Sequence, residues 1–254
     1  CLLSQRTRPD SDATGITQST FNSVAYPHMS NIETTIIANR SNNRRSLIVY
    51  LNCGDPDIET TYALIKLCAE QDVDLIELGV PFANSFTDGK VVLRSHERAL
   101  NNGVTFEDVI QMVQKLRTEC AIPIVLLADF SYSIKARGIE YAVKQCKESG
   151  IQGLLLHGLP PLYLKQYLEH SNTYGLTPIF SLYPNTSQEK ILTTLSHCRG
   201  FVYLVSKYGR TGKPIDFCSP EITEFFASVS QATHLPLMAG FGIKSLADMN
   251  TIYA

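Results

Sequence analysis

The sequence predicts an α/β protein built on a parallel sheet, and it favours a (β/α)8 TIM barrel over an open, doubly wound sheet. The chain has 254 residues, close to the roughly 250 of one complete barrel domain. From residue 46 onward, short β-branched apolar segments alternate with segments of helical periodicity, which is typical of parallel strands joined by helical crossovers. The spacing is regular, and the first strand-to-helix turn has no G-x-G-x-x-G dinucleotide motif.

Seven apolar segments are the predicted strands: 46–51, 74–78, 123–127, 151–156, 176–182, 200–205 and 235–239. Six segments between or after them have the helical period: 58–71, 105–119, 137–149, 161–173, 188–197 and 219–230. Thr105 and Asp108 have the spacing of a capping box, and Gly150 and Gly175 stand where helix C-caps are expected. An eighth strand would begin after Ala254, so the barrel is expected to lack its last β/α unit in this chain.

The first 28 residues differ from the rest. They are rich in Ser, Thr, Asn and Gln and show no sustained period. We therefore predict an N-terminal extension over 1–28, either disordered or an artificial addition, a processed segment or a misassigned start. The barrel domain is predicted over 29–254.

Composition and charge exclude several functional classes. Hydrophobic residues make up 44% and charged residues 18% of the chain, as in globular domains. The net charge is −2 with no basic block, which argues against nucleic acid as a partner. No apolar run approaches the roughly 20 residues of a membrane-spanning helix. The cysteines include no C-x-x-C pair, which predicts free thiols in a reducing cytoplasm and no metal site: Cys1, Cys53, Cys68, Cys120, Cys146, Cys198 and Cys218.

Two carboxylates are candidate catalytic residues. Glu77 lies near the end of the second predicted strand, and the period-2 alternation puts Leu75, Glu77 and Gly79 on one face. If that face is the barrel interior, burial should raise the pKa of Glu77; the alternative is a Glu at the rim, paired to a cation. Asp88 lies in the loop after that strand, where an Asp-Gly pair can equally be a simple turn.

Glycine-rich segments follow the sixth and seventh strands. These are Gly209-Arg-Thr-Gly212 and Gly240-Phe-Gly242. Glycine lets backbone N–H groups approach an anion closely, and phosphate sites recur near the last strands of such barrels. The alternative is that these glycines only form tight turns.

Taken together, the motifs resemble the α subunit of tryptophan synthase. The resemblance runs from about Met29 to the last residue and rests on segments in the family's order: Gly54-Asp-Pro56, Glu77-Leu-Gly-Val-Pro-Phe82, Asp88-Gly89, Arg98-Ala-Leu100, Gly103-Val-Thr105, Leu159-Pro-Pro161, Phe201-Val-Tyr-Leu-Val-Ser206, Gly209-Arg-Thr-Gly212 and Gly240-Phe-Gly-Ile243.

The resemblance implies a lyase that cleaves indole-3-glycerol phosphate to indole and glyceraldehyde 3-phosphate by a retro-aldol reaction. It implies that Glu77 is the general acid/base and that Asp88 receives the indole N–H. It further implies a set of substrate-binding positions: Tyr203, Thr211, Gly212, Gly240, Phe241 and Gly242. No metal or organic cofactor is implied for this subunit. The implied partner is a pyridoxal phosphate-dependent β subunit in an α2β2 complex, bound through the loops after strands two and three.

The sequence departs from the family pattern in the loops that face the partner. Ala83-Asn84-Ser85 stands where the family has Ser-Asp-Pro, and Ala128-Asp129-Phe130-Ser131 stands where it has a Tyr-x-Asn motif. Gly158 replaces an Asp, beside His157, which we interpret as a polar rim residue. These changes leave open a second interpretation, a catalytically impaired α-like subunit that binds and modulates a β subunit. A cytoplasmic location is expected, or a plastid if 1–28 is a targeting remnant.

Overall fold

Seven parallel strands form one sheet within residues 31–206, 216–240, 242–243 and 245–253, which are the residues that the computed structural model describes. The extension predicted over 1–28 lies outside them. The strands pair in sequence order, each beginning one or two residues later than predicted: β1 (Ile48–Asn52), β2 (Leu75–Gly79), β3 (Ile124–Asp129), β4 (Gly153–His157), β5 (Thr177–Leu182), β6 (Val202–Val205) and β7 (Leu237–Gly240). Within this described part, β1 and β7 each pair on one side.

Helices cover the outside of the sheet and also precede it. They are α1 (Asn31–Ser41), α2 (Ile58–Glu70), α3 (Lys90–Asn101), α4 (Phe106–Leu116), α5 (Ile139–Glu148), α6 (Leu164–Tyr174), α7 (Gln188–His197), α8 (Pro220–Ala232) and α9 (Leu246–Tyr253). The six predicted helices are confirmed as α2 and α4–α8. Thr105 and Asp108 form the predicted capping box, and Gly175 caps α6 in the left-handed region, with φ 66°.

Helix α3 was not among the helical segments predicted from the sequence. Its fully buried residues are Ser95, His96 and Ala99, none of which has a large apolar side chain. The segment nonetheless has the helical period, with Val92, His96 and Ala99 on one face, so the pattern could have predicted it. The helix places a buried histidine directly beside the end of β2.

The sheet curls so that inward side chains from distant strands meet. The hydroxyl of Tyr203 on β6 lies 3.5 Å from the carboxylate of Glu77 on β2, although these strands are four positions apart in the sheet. An apolar layer from six strands and α1 fills the space below this contact. Gly153 leaves room for it, because a Cβ atom there would lie 2.9 Å from Cδ1 of Ile32. Helix α1 therefore closes the N-terminal end of the sheet, and the C-terminal end remains for a site.

Candidate active site

Glu77 is an inward-facing, buried carboxylate near the C-terminal end of β2. It lies in register with Tyr50 on β1 and Val125 on β3, and only 7% of it is exposed. The prediction that Leu75 and Glu77 share the interior face is confirmed, because Leu75 belongs to the interior apolar layer. Burial raises the pKa of Glu77 to about 7, and the hydrogen bond from Tyr203 offsets part of that increase.

Asp88 lies in the segment between β2 and α3 and is partly buried. Burial alone would raise the pKa of Asp88. Hydrogen bonds from His96 and Ser85, together with the nearby imidazole of His157, outweigh burial and hold the pKa of Asp88 below its ordinary value. Asp88 is therefore an anion at neutral pH.

Both carboxylates line one apolar cavity at the C-terminal end of the sheet. Its main part has a volume of about 180 Å³, with walls formed by Tyr50, Glu77, Gly79, Val80, Phe82, Asp88, Val92, His96, Leu127 and Tyr203. A smaller part of about 40 Å³ shares Glu77, Phe82, Asp88, Leu127 and Tyr203 with it and extends to Asp129, His157 and Tyr183. One group that is half-protonated near neutral pH and one fixed anion thus face the same apolar space, an arrangement that separates acid/base and charge-stabilising roles.

Two tyrosines stand beside Glu77, each lying over a glycine of the next strand. A Cβ atom on Gly79 would lie 2.6 Å from the hydroxyl oxygen of Tyr50, and one on Gly240 would overlap the ring of Tyr203. A side chain at either glycine would therefore have to displace the neighbouring tyrosine. Burial, together with the charges of Asp88 and Glu77, raises the pKa of the Tyr50 phenol, so that Tyr50 presents a neutral hydroxyl to the cavity.

A wider groove of about 490 Å³ lies at the opposite end of the sheet. Its charged lining includes two ion pairs, Arg44 with Asp74 at 2.7 Å and Lys66 with Glu119 at 2.5 Å. These pairs bridge segments that precede the strands. Reactive groups in barrel enzymes stand at the C-terminal ends of the strands, so the cavity around Glu77 is the candidate site.

Within the described ranges, no group of three or more His, Cys, Asp or Glu side chains could hold a metal ion. The six cysteines in those ranges are all free thiols. No helix of the described part is long and apolar enough to cross a membrane.

A family model described as "Tryptophan synthase alpha chain" matches residues 37–254. The chain belongs to this family. It is 39% identical to the tryptophan synthase α chain of Thermoanaerobacter sp. (strain X514), over 81% of this chain and 78% of the relative. It is 36% identical to the α chain of Geobacter sulfurreducens, over 85% and 81%.

Solved structures from tryptophan synthases share the fold. A chain of the Mycobacterium tuberculosis enzyme superposes with a TM-score of 0.81 at 28% identity, covering 89% of this chain and 85% of that one. A chain of the Pyrococcus furiosus tryptophan synthase α2β2 complex superposes with a TM-score of 0.74 at 29% identity, covering 82% of both. The barrel class predicted from the sequence is confirmed.

Several family motifs prove to contact one another outside the cavity. Arg98 donates two hydrogen bonds to Asp55, at 2.6 and 2.8 Å, which joins α3 to the loop after β1. Gly54 has a φ of 84°, and a Cβ atom there would lie 2.5 Å from Cγ2 of Val104. These motifs of the tryptophan synthase α family therefore fix the position of α3.

The structure assigns a local role to one departure from the family pattern. Asp129 accepts hydrogen bonds from the backbone N–H groups of Ser131 and Tyr132, at 2.8 and 3.0 Å, and so caps the short helical turn after β3. His157 pairs with Asp129 in the β3–β4 register. The rim position expected for His157 agrees with its place at a strand end, although its side chain also lines the smaller part of the cavity.

The predicted substrate-binding residues divide into two groups. Tyr203, Gly240 and Gly242 are described; Gly242 has a φ of 79°, which favours glycine. Thr211, Gly212 and Phe241 lie outside the described residues. Sequence reasoning also missed cavity residues. Tyr50 could have been found, because the strand alternation that identified Glu77 puts it on the same interior face; His96 gave no such signal.

Proposed function

We propose that this chain cleaves indole-3-glycerol phosphate to indole and glyceraldehyde 3-phosphate, with Glu77 as general acid/base and Asp88 as the carboxylate that stabilises the indole N–H. The observation that carries the proposal is the shared cavity, in which a buried carboxyl with a pKa near 7 and an ionised carboxylate face one apolar space. A catalytic acid/base works best when its pKa lies near the operating pH.

The retro-aldol reaction needs these two groups in different protonation states. Protonated Glu77 donates its proton to indole C3, which places the positive charge on the ring N–H. Asp88 faces that N–H and stabilises the charge. The bond from C3 to the glycerol carbon then breaks, its electron pair restores the indole, and the glycerol hydroxyl becomes the aldehyde. Glu77, now ionised, takes the hydroxyl proton and returns to its starting state.

The apolar walls suit an indole ring, and the glycines at the ends of β6 and β7 suit the phosphate. Leu127, Val80 and Phe82 supply apolar surface beside Glu77. We propose that the phosphate binds through Thr211, Gly212, Gly240, Phe241 and Gly242, with Tyr203 beside the glycerol portion. Backbone N–H groups of such glycines can approach an anion closely. No metal or organic cofactor is proposed for this chain.

We further propose that a β subunit carrying pyridoxal phosphate binds this chain over the loops after β2 and β3, because a chain of a tryptophan synthase α2β2 complex superposes on it. These loops carry exposed apolar side chains: Phe86 after β2 is 81% exposed and Tyr132 after β3 is 49% exposed. Exposed apolar surface of this kind is typical of protein contacts. Transfer of indole to such a partner requires both chains in one compartment, which we propose is the cytoplasm, or a plastid if 1–28 is a targeting remnant.

A second candidate function is a catalytically impaired α-like subunit that binds and modulates a β subunit. The observation that favours it is the altered β2–α3 segment, in which Asn84 has a φ of 59° and Ala83-Asn84-Ser85 replaces the family's Ser-Asp-Pro. These residues lie three to five positions before Asp88 in the same segment. An altered segment could therefore change how Asp88 is presented.

Turnover of indole-3-glycerol phosphate by the purified chain, measured with and without a β subunit, tests the proposal. Formation of indole and glyceraldehyde 3-phosphate is expected, and Asp88→Asn should lower kcat by about 10²-fold or more, because the amide cannot supply a negative charge. Asp72→Asn, at an exposed site with a φ of 57°, is the matched control and should be silent. Binding of the β subunit without turnover would favour the impaired subunit instead.

A further inference from the structure

His96 contacts both ends of the segment that carries Asp88. It lies on α3 and is 3% exposed. The backbone N–H of Phe82 donates to its Nδ1 at 3.4 Å, and its Nε2 lies 3.3 Å from Oδ2 of Asp88. The His96 ring also packs against the ring of Phe82, with 4.8 Å between centroids. One side chain therefore joins the start and the end of segment 82–88.

These partners assign the protonation of the His96 ring. A backbone N–H can only donate, so Nδ1 must be the unprotonated acceptor. An ionised carboxylate can only accept, so Nε2 must carry the proton. The neutral Nε2–H tautomer satisfies both contacts at once. Both distances lie slightly beyond the usual range of about 2.7–3.2 Å, so each contact is weak by itself.

The His96 ring lies between the cavity and the protein surface. The ring forms part of the cavity wall between Phe82 and Asp88, and it also borders a surface groove beside exposed Phe86. Burial of Ser95 and Ala99 on the same helix fixes α3 against the sheet. His96 therefore connects a rigid element to a segment that otherwise runs between Val80 and Lys90 without regular structure.

We propose that His96 is a positioning residue that holds segment 82–88 against α3 and orients the Asp88 carboxylate toward the cavity. The kinetic part of this inference rests on the proposed function, because it assumes that Asp88 acts on the substrate. The structural part, the bridge from Phe82 through His96 to Asp88, does not depend on any reaction.

Two amide variants separate the two ends of the bridge. In His96→Gln the longer amide can donate to Asp88 from about the position of Nε2. In His96→Asn the shorter amide can accept from Phe82 at about the position of Nδ1, but it does not reach Asp88. We expect His96→Asn to lower kcat by about 10- to 100-fold, the range for a misplaced reacting group, with little change in KM. His96→Gln should keep kcat within a few-fold of the wild type.

Equal kcat values for the two amide variants would overturn the proposal, because loss of the contact to Asp88 would then have no effect on the reaction. Circular dichroism in the near ultraviolet verifies that each variant keeps its packing.

A second readout needs neither turnover nor a variant of His96. The ¹⁵N shifts of the His96 ring at pH 7 should show the neutral Nε2–H tautomer in the wild type and a change in the Nε2 environment in Asp88→Asn. The Nδ1–H tautomer, or a ring unaffected by Asp88→Asn, would overturn the bridge. If the tautomer is as expected while Asp88→Asn keeps full lyase activity, the positioning role and the proposed function of Asp88 fail together although the bridge stands.

Discussion

Burial of Glu77 makes the stability of the fold depend on pH in a defined direction. Its folded pKa of about 7 lies above the ordinary 4.5, so the folded state binds the proton more tightly than the unfolded chain. The resulting stabilisation is fully present below pH 4.5 and is lost as the pH rises through 7. Between pH 5 and pH 8 it falls by about 2.5 kcal/mol, at about 1.4 kcal/mol per pH unit.

Glu77→Gln removes this titration while keeping the side-chain shape. Urea unfolding of both proteins at pH 5 and pH 8 measures the effect, because other titrating groups cancel in the difference between the two proteins. The wild type should lose about 2.5 kcal/mol relative to the variant between these pH values. A difference that stays constant within about 0.5 kcal/mol would refute the burial argument, because it would place the Glu77 carboxyl in water in the folded state.

Three further predictions concern packing and assembly. Gly240→Ala should displace the ring of Tyr203 and lower lyase activity at least tenfold. Gly153→Ala crowds Ile32 at the opposite end of the sheet, so it should lower the melting temperature without that loss of activity. Gly54→Ala should destabilise the fold by about 1–3 kcal/mol more than Gly103→Ala in urea unfolding, because both have positive φ but a Cβ atom would meet another residue only at Gly54. Phe86→Ser should weaken association with a β subunit about tenfold or more by calorimetry; unchanged affinity would place the interface elsewhere.

The sequence alone predicted the strands and most helices, because each kind of element is marked by the local spacing of its apolar residues. It also located Glu77, since a carboxylate on the interior face of a strand breaks that alternation visibly. Tyr50 could have been predicted in the same way, because it faces the interior on β1, opposite Glu77 on β2.

Other features depend on contacts between distant segments and left no local pattern. His96 acquires its place in the site only when Phe82 and Asp88 fold back on it. Gly240 was expected to serve a phosphate, and the structure adds a steric requirement, the Tyr203 ring that lies on it.

The central claim is that the buried carboxyl of Glu77 exchanges a proton with the substrate. Single-turnover cleavage of indole-3-glycerol phosphate by Glu77→Gln, compared with the wild type and with exposed Glu224→Gln, tests it most directly. A loss of about 10²- to 10⁴-fold is expected for Glu77→Gln and none for Glu224→Gln. A Glu77→Gln variant that keeps more than about a tenth of the wild-type rate would contradict the claim.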